Sequence, residues 1–389
     1  MSPKPPCAPP SNGSLLVVSD TMRNTPIDHA RRVATVQQML ATGGHGCDAL
    51  LFTDLVDVRW LTGFTGSNGW AVVRPDDLIL GTDGRYGERA LAETASAGVT
   101  VYAESTRPAL HERLVSSLSG ASRVALDPST TSQAEWTRLS AEVHLAPVAS
   151  FVAKQRQIKD DAEIERIAAA AAAADAALIE VEPILRATVD SPVTEADVRN
   201  ELEYRMRLHG ADDRSYDTIV ASGPDHAARP HHEATRRTIV DGDTVIIDVG
   251  GLVDGYHSDM TRSYVIGEPS AQQREIYSLV ESAHRAGIDA LRSGATAKDV
   301  DSAARDLFVE AGYGDWYLHG TGHGVGLVIH ESPFHSQASD EVLAAGNVVT
   351  VEPGLYRVGF GGFRIEDLLV VTETGARPLT HTSPRPFPG

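Results

Sequence analysis

The sequence predicts an α/β domain followed by an α+β domain built from two related halves. Three observations carry that expectation. Short apolar runs alternate with helix-like stretches up to about residue 155, the pattern of an α/β domain. A long alanine-rich stretch with helical periodicity then opens a second region. Within that region two pairs of segments recur at nearly equal offset: TEADV at 194 with TAKDV at 296, and GDTVIID at 242 with GNVVTVE at 346, offsets of 102 and 104 residues. A chain of 389 residues is also long for a single hydrophobic core.

Residues 1–25, beginning MSPKPPCAPPSNGS, read as a disordered Pro/Ser tail. The tail has no basic start followed by an apolar core, so no secretory signal is expected, and Met22 is an alternative start. The N-terminal domain is placed at 26–155. Its first helix is expected from Asp28 to about Ala41, with Val33, Val36 and Leu40 on one face. The runs DALLFTD, WAVVRP, LILGTD, GVTVYAE, RVALDP and EVHLAP are expected strands, and ERALAETA and PALHERLVSSL expected helices.

The second domain is placed at 156–389. In RQIKDDAEIERIAAAAAAADAALIEVEPIL, Ile164, Ile167, Ala171 and Leu178 share one helical face, and the alanines allow close packing. Each T-x-x-D is a helix start of the capping-box type. In each half a Gly turn and a strand then end in a carboxylate, Asp248 or Glu352, and a second strand carries another, Asp259 or Glu366. Pseudo-twofold halves would gather these four groups around one axis.

Composition narrows the function classes. Apolar residues are 42% and charged residues 22%, as in ordinary soluble domains. The net charge of −19 argues against nucleic acid and anionic membranes as partners. Two cysteines, Cys7 and Cys47, make no disulfide framework and fit a reducing cytoplasm. No apolar run approaches the ~20 residues of a membrane span.

Asp248, Asp259, His323, Glu352 and Glu366 are hard, mostly oxygen ligands. They suit a pair of divalent ions better than a structural zinc, and a two-metal site supports hydrolysis. Asp248 follows the buried-strand run TVII, where a carboxylate is costly unless paired or metal-bound. Turn residues Gly250-Gly251 and Asp254-Gly255 join it to HSDMTRSYVI, so antiparallel pairing can bring Asp259 near it. His319, His323 and His330 all fall in HGTGHGVGLVIHE, whose glycines are expected to let the backbone approach an ion closely. His231, in ARPHHEATRR, is a weaker candidate, with a surface loop as its alternative.

DVGG…SDMTRS, HGTGHGVGLVIHE, VEPGLY and RIED resemble the pita-bread metallopeptidases: aminopeptidase P, prolidase, methionine aminopeptidase and the metal-free creatinase. DVRWLTGFTGSNGW…TDGRY and RQIKDDAEI resemble the creatinase/prolidase amino-terminal domain, which narrows the likeness to the X-Pro branch. It runs from about residue 26 to 380. The proline-rich tail departs from it, and Phe363 stands where a smaller aliphatic is commoner. The resemblance implies a pita-bread catalytic domain with a curved sheet and two divalent ions, manganese first, with cobalt or zinc as alternatives. Asp259 and Glu366 would bridge the ions, His323 and Glu352 complete one shell and Asp248 the other. Glu352 would also move a proton to the leaving proline nitrogen. His231 and His330 would contact substrate and the developing oxyanion. His319 and Arg364 would act behind the ligands or bind a substrate carboxylate, and Tyr356 would add a hydrogen bond.

An X-Pro amide nitrogen carries no hydrogen, so peptidases that need that N–H fail on it and a dedicated site is required. The leading expectation is an X-Pro aminopeptidase acting on proline-containing peptides. The alternative is an X-Pro dipeptidase, and a non-catalytic scaffold is a third class, disfavoured by the cost of keeping buried carboxylates without metal. The same likeness implies a homodimer or larger assembly.

Overall fold

The computed structural model describes residues 25–43, 46–149, 151–384 and 386–387. Residues 1–24 of the expected tail, with Cys7, lie outside them. The chain forms two compact units divided between Lys159 and Asp160.

The first unit, Pro26–Lys159, carries helices α1 (His29–Ala41), α2 (Leu55–Thr62), α3 (Gly87–Glu93), α4 (Arg107–Ser117), α5 (Gln133–Ser140) and α6 (Ala153–Gln157). Its strands are β1 (Ala49–Phe52), β2 (Gly69–Arg74), β3 (Asp77–Asp83), β4 (Thr100–Glu104), β5 (Val124–Leu126) and β6 (Leu145–Pro147). They form one mixed sheet in the order β4-β3-β2-β1-β5-β6. Asp28 caps α1, which buries Val33, Val36 and Leu40, the face that the apolar spacing predicts. All six expected strands form, and Leu51, Val72, Val124 and Leu126 meet Leu110 and Leu114 of α4 in the core.

The second unit opens with α7 (Asp161–Arg186) and α8 (Glu195–Leu208), then β7 (Asp213–Arg214), β8 (Ile219–Ser222), the short helix α9 (Gly223–His226) and β9 (Thr244–Asp248). A hairpin of β10 (Gly251–Val253) and β11 (Tyr256–His257) leads to β12 (Thr261–Val265). The second half repeats the succession: α10 (Ala271–Ala290), α11 (Ala297–Glu310), β13 (Gly322–Gly324), β14 (Glu331–His335), β15 (Val348–Val351), a hairpin of β16 (Gly354–Arg357) and β17 (Gly361–Arg364), β18 (Asp367–Val371) and β19 (Ala376–Pro378). The sheets run β12-β9-β8 and β14-β13-β15-β18-β19.

The echo in the sequence therefore marks two copies of one motif. Thr194 and Thr296 both cap helices with a complete capping box. Thr194 bridges Thr238 as Thr296 bridges Val342. Asp248 and Glu352 correspond, each at the end of a central antiparallel strand. The expected match of Asp259 with Glu366 does not hold. Thr261 stands opposite Asp248, while the Val351–Asp367 register, continued by one residue, sets Glu366 opposite Glu352. The place of Glu366 in the first half thus belongs to Thr261, and Asp259 lies two residues earlier, on the same face of the strand.

The alanine run packs closely, as expected. Ala169, Ala170, Ala171, Ala173 and Ala174 are buried, and a Cβ on Gly251 of β10 would fall 2.7 Å from the Ala170 carbonyl oxygen. Leu178, Val181, Leu185, Leu202, Val245 and Ile247 fill the core beneath, each contributing roughly 1.5–3 kcal/mol.

Candidate metal centre

The backbone brings the carboxylates together before any side chain acts. On an antiparallel pair, residues on one face meet directly or diagonally. Asp248 at the end of β9 and Asp259 ahead of β12 are such diagonal neighbours, and one hydroxyl, Tyr216 Oη, donates to Oδ1 of both. The two halves join here: Glu366 N donates to Thr261 O at 3.2 Å, and Thr261 Oγ1 donates to Glu366 Oε2 at 2.7 Å. Asp259, His323 and Glu366, all buried, each bring a ligand atom within 4.8 Å of the others'. His323 Nε2 lies 3.5 Å from both Asp259 Oδ2 and Glu352 Oε1. All five expected ligands therefore line one cluster.

The glycines around His323 have a steric reason within the sheet. A Cβ on Gly322 would fall 2.1 Å from Thr350 O, on Gly320 2.5 Å from His335 O, and on Gly324 2.5 Å from Ser332 O. They let β13 pass between β14 and β15 at close range.

Around the cluster, Arg364 is buried and uses four of its N–H groups: Nε to Thr261 Oγ1 (2.9 Å), Nη1 to Tyr356 Oη (3.0 Å) and Pro230 O (2.8 Å), Nη2 to Asp248 Oδ2 (2.6 Å). Of the two roles the sequence left open for it, this geometry supports holding Asp248. Tyr356 Oη also lies 2.9 Å from His319 Nε2, so His319, Tyr356, Arg364 and Asp248 form one chain of contacts. His330, in the bend before β14, sets its ring 4.5 Å from that of His323. His231 is exposed and lies next to Pro230, whose carbonyl Arg364 holds. Phe363 does not shape this centre: it is fully buried against Tyr277 on the helix side, with ring centroids 5.6 Å apart.

Burial and like charge dominate the electrostatics of the cluster. Burial and then the Asp248 charge push Asp259 well above the ordinary carboxylate range, against the pull of the Tyr216 hydroxyl. Burial, then Asp259, Glu352 and Asp248, do the same to Glu366. Glu352 is raised by burial despite His319 and Arg364. Burial lowers His323, His319 and His330, leaving neutral imidazoles with a lone pair to offer. Like charges crowded out of water beside a neutral imidazole fit divalent cations, which would reverse the repulsion.

Sequence reasoning missed Tyr216, Thr261 and Asp301. No period or motif marks Tyr216 in SYDT. Asp301, in α11, is buried and accepts from Thr321 N at 3.1 Å, fixing the segment between His319 and His323, yet its spacing reads as an ordinary helix residue.

Known proteins resemble this chain over most of its length. Residues 165–373 match the sequence model of metallopeptidase family M24, and residues 32–158 match that of the creatinase/prolidase N-terminal domain. The chain is 39% identical over 343 residues to "Uncharacterized peptidase YqhT" of Bacillus subtilis, covering 87% of this chain and 95% of that relative. It is 45% identical over 228 residues to the Xaa-Pro dipeptidase of Pyrococcus furiosus, an alignment spanning 58% of this chain and 64% of the relative, just under two thirds of its length. Among solved structures, the Xaa-Pro dipeptidase from Bacillus anthracis superposes with a TM-score of 0.86 at 33% identity, covering 92% of this chain and 99% of the other. The X-Pro aminopeptidase from Thermotoga maritima gives 0.83 at 32%, covering 91% and 99%.

Proposed function

The chain belongs to metallopeptidase family M24 and is a peptide-bond hydrolase, and from that premise we propose that it cleaves the bond preceding proline. The observation that carries the reading is the buried Asp259–His323–Glu366 cluster, extended by Asp248 and Glu352 on a scaffold shared with Xaa-Pro peptidases. Of the two forms the sequence offers, the names of the relatives favour the X-Pro dipeptidase, and the Thermotoga maritima structure keeps the X-Pro aminopeptidase as the second reading.

Asp248, Asp259, His323, Glu352 and Glu366 would hold two divalent ions, manganese first and cobalt or zinc next, since the donors are mostly oxygen. Such ions supply Lewis acidity and a water of lowered pKa. The rest falls to the chain. Glu352, whose Oε1 lies 3.5 Å from His323 Nε2, would take a proton and return it to the proline nitrogen. His231 and His330, on segments next to the cluster, would contact the peptide and its developing oxyanion. Arg364 and Tyr356 hold Asp248 and His319 in orientation. A homodimer or larger assembly and a cytoplasmic location complete the reading. The low cysteine count supports that location, and among the described residues no helix is long and apolar enough to cross a membrane.

Assays of Ala-Pro beside Ala-Pro-Ala, each with manganese, cobalt or zinc, test this. Hydrolysis of the dipeptide alone supports the dipeptidase, and release of alanine from the tripeptide selects the aminopeptidase. Failure on both by metal-loaded protein would overturn the proline-directed reading.

A further inference from the structure

A second group of ligand atoms lies apart from the metal centre and shares no residue with it. Glu195, His226 and His232 each bring one ligand atom within 4.8 Å of the others'. Glu195, the first residue of α8, is fully buried. Its carboxylate accepts from Ser222 N (2.8 Å) and Oγ (2.7 Å) and from Thr235 N (3.1 Å) and Oγ1 (2.7 Å), so both ends of the segment that carries His231 hang on it. His226 Nδ1 lies 2.9 Å from Oε1 and 3.1 Å from Oε2. The His226 and His232 rings stand with centroids 4.0 Å apart, tilted by 54°.

The unexplained atom is His232 Nε2, buried and without a hydrogen-bond partner. A buried polar atom left unpaired costs about 1–3 kcal/mol, so such an atom asks for an explanation. Burial first, and the neighbouring His226 next, lower the His232 pKa, so the ring is neutral with a lone pair to give. Arg237, which interacts electrostatically with Glu195, is paired with Asp243 at 2.6 and 2.9 Å.

We propose that Glu195, His226 and His232 form a third divalent-cation site, for a borderline ion such as Zn2+, at the root of the segment bearing His231. Two imidazoles and one carboxylate suit zinc, whereas the oxygen-rich centre suits harder ions. The 2.9 Å between His226 Nδ1 and Glu195 Oε1 is a hydrogen-bond distance, and two metal bonds of about 2.0–2.1 Å at a tetrahedral angle need these atoms to part to about 3.3–3.4 Å. On binding, the ion takes the place of the hydrogen between His226 Nδ1 and Glu195 Oε1, and that proton passes to Nε2 of the same ring or to water. Half-exposed His226 and His232 leave water a way to fill the remaining position. The bound ion fastens α8 to the segment on either side of His231.

The test counts metal on the full chain. Manganese-loaded protein is dialysed against micromolar Zn2+ with manganese kept in excess, and both metals are measured by mass spectrometry for wild type and His232→Phe. One ion fewer per chain is expected in the variant. A wild-type rise in Tm of roughly 5–10 °C, at zinc a hundredfold above its dissociation constant, should also be absent from it. If His232→Phe shows no cooperative melt, His226→Gln serves the same comparison. Equal total metal and equal zinc-dependent melting in wild type and variant would overturn the site. Because the readout is metal content and not peptide cleavage, it stands apart from the proline-directed reading.

Discussion

Asp301→Asn tests how the segment carrying His319 and His323 is held. The Asp301 carboxylate accepts from Thr321 N (3.1 Å) and Oγ1 (2.9 Å), from Arg305 Nε (2.7 Å) and Nη2 (3.0 Å), and from Gln337 Nε2 (2.7 Å). Arg305 passes the restraint on by donating to His319 O at 2.9 Å. Asparagine keeps the shape but turns one acceptor into a donor that faces the guanidinium or the Gln337 amide. Hydrogen bonds to a charged group are worth ~1.5–3 kcal/mol each. The Arg305 side chain is 25% exposed, so water recovers part of the lost ion pair. The expected loss is about 3 kcal/mol, or roughly 6–12 °C in Tm for a unit of this size.

The same variant makes a prediction with a sign in pH. Burial alone would raise the Asp301 pKa, but the Arg305 and Gln337 donors outweigh it and hold the carboxyl below its ordinary value. A depressed folded pKa stabilises the protein above the unfolded value of about 3.9, and that contribution is lost as pH falls through the folded value. The stability gap between wild type and Asp301→Asn should therefore be full at pH 6–7 and narrow below about pH 4. Urea unfolding at several pH values reads it directly. A gap that is absent at neutral pH, or that stays constant down to pH 3, would refute the reasoning.

Three further outcomes are expected. Tyr216→Phe removes the one hydroxyl shared by Asp248 and Asp259, and should weaken metal affinity by about 10–100-fold with little change in melting, as metal titration would show. Chelation should abolish activity and Asp259→Ala should lose metal as well as rate, since two cations would then face each other without a carboxylate between them; full activity in a sample shown metal-free by elemental analysis would contradict this. His231→Ala and His330→Ala should keep the metal of the centre but lose ~10²–10³ in turnover, and a variant with unchanged metal, melting and turnover would remove that residue from the catalytic machinery.

Much of this protein was legible from its residues because the relevant signals are local. Val33, Val36 and Leu40 mark α1 by spacing alone, and Thr194 and Thr296 announce two equivalent helices by their capping boxes. The nearly equal offsets exposed the duplication, and carboxylates at the ends of apolar strands exposed the centre, because burial of such a group needs a partner. The tertiary structure decided what depends on pairing across distant segments. Register put Thr261, and not Asp259, in the place of Glu366, because a shift along a strand changes which side chains meet and no single strand records its neighbour's alignment. The Tyr216 hydroxyl between two aspartates, the Asp301 anchor and the Glu195–His226–His232 group all join residues far apart in sequence. The glycines around His323 carry the same lesson: the sequence shows that a Cβ is missing, and only the crossing carbonyls of Thr350, His335 and Ser332 show why.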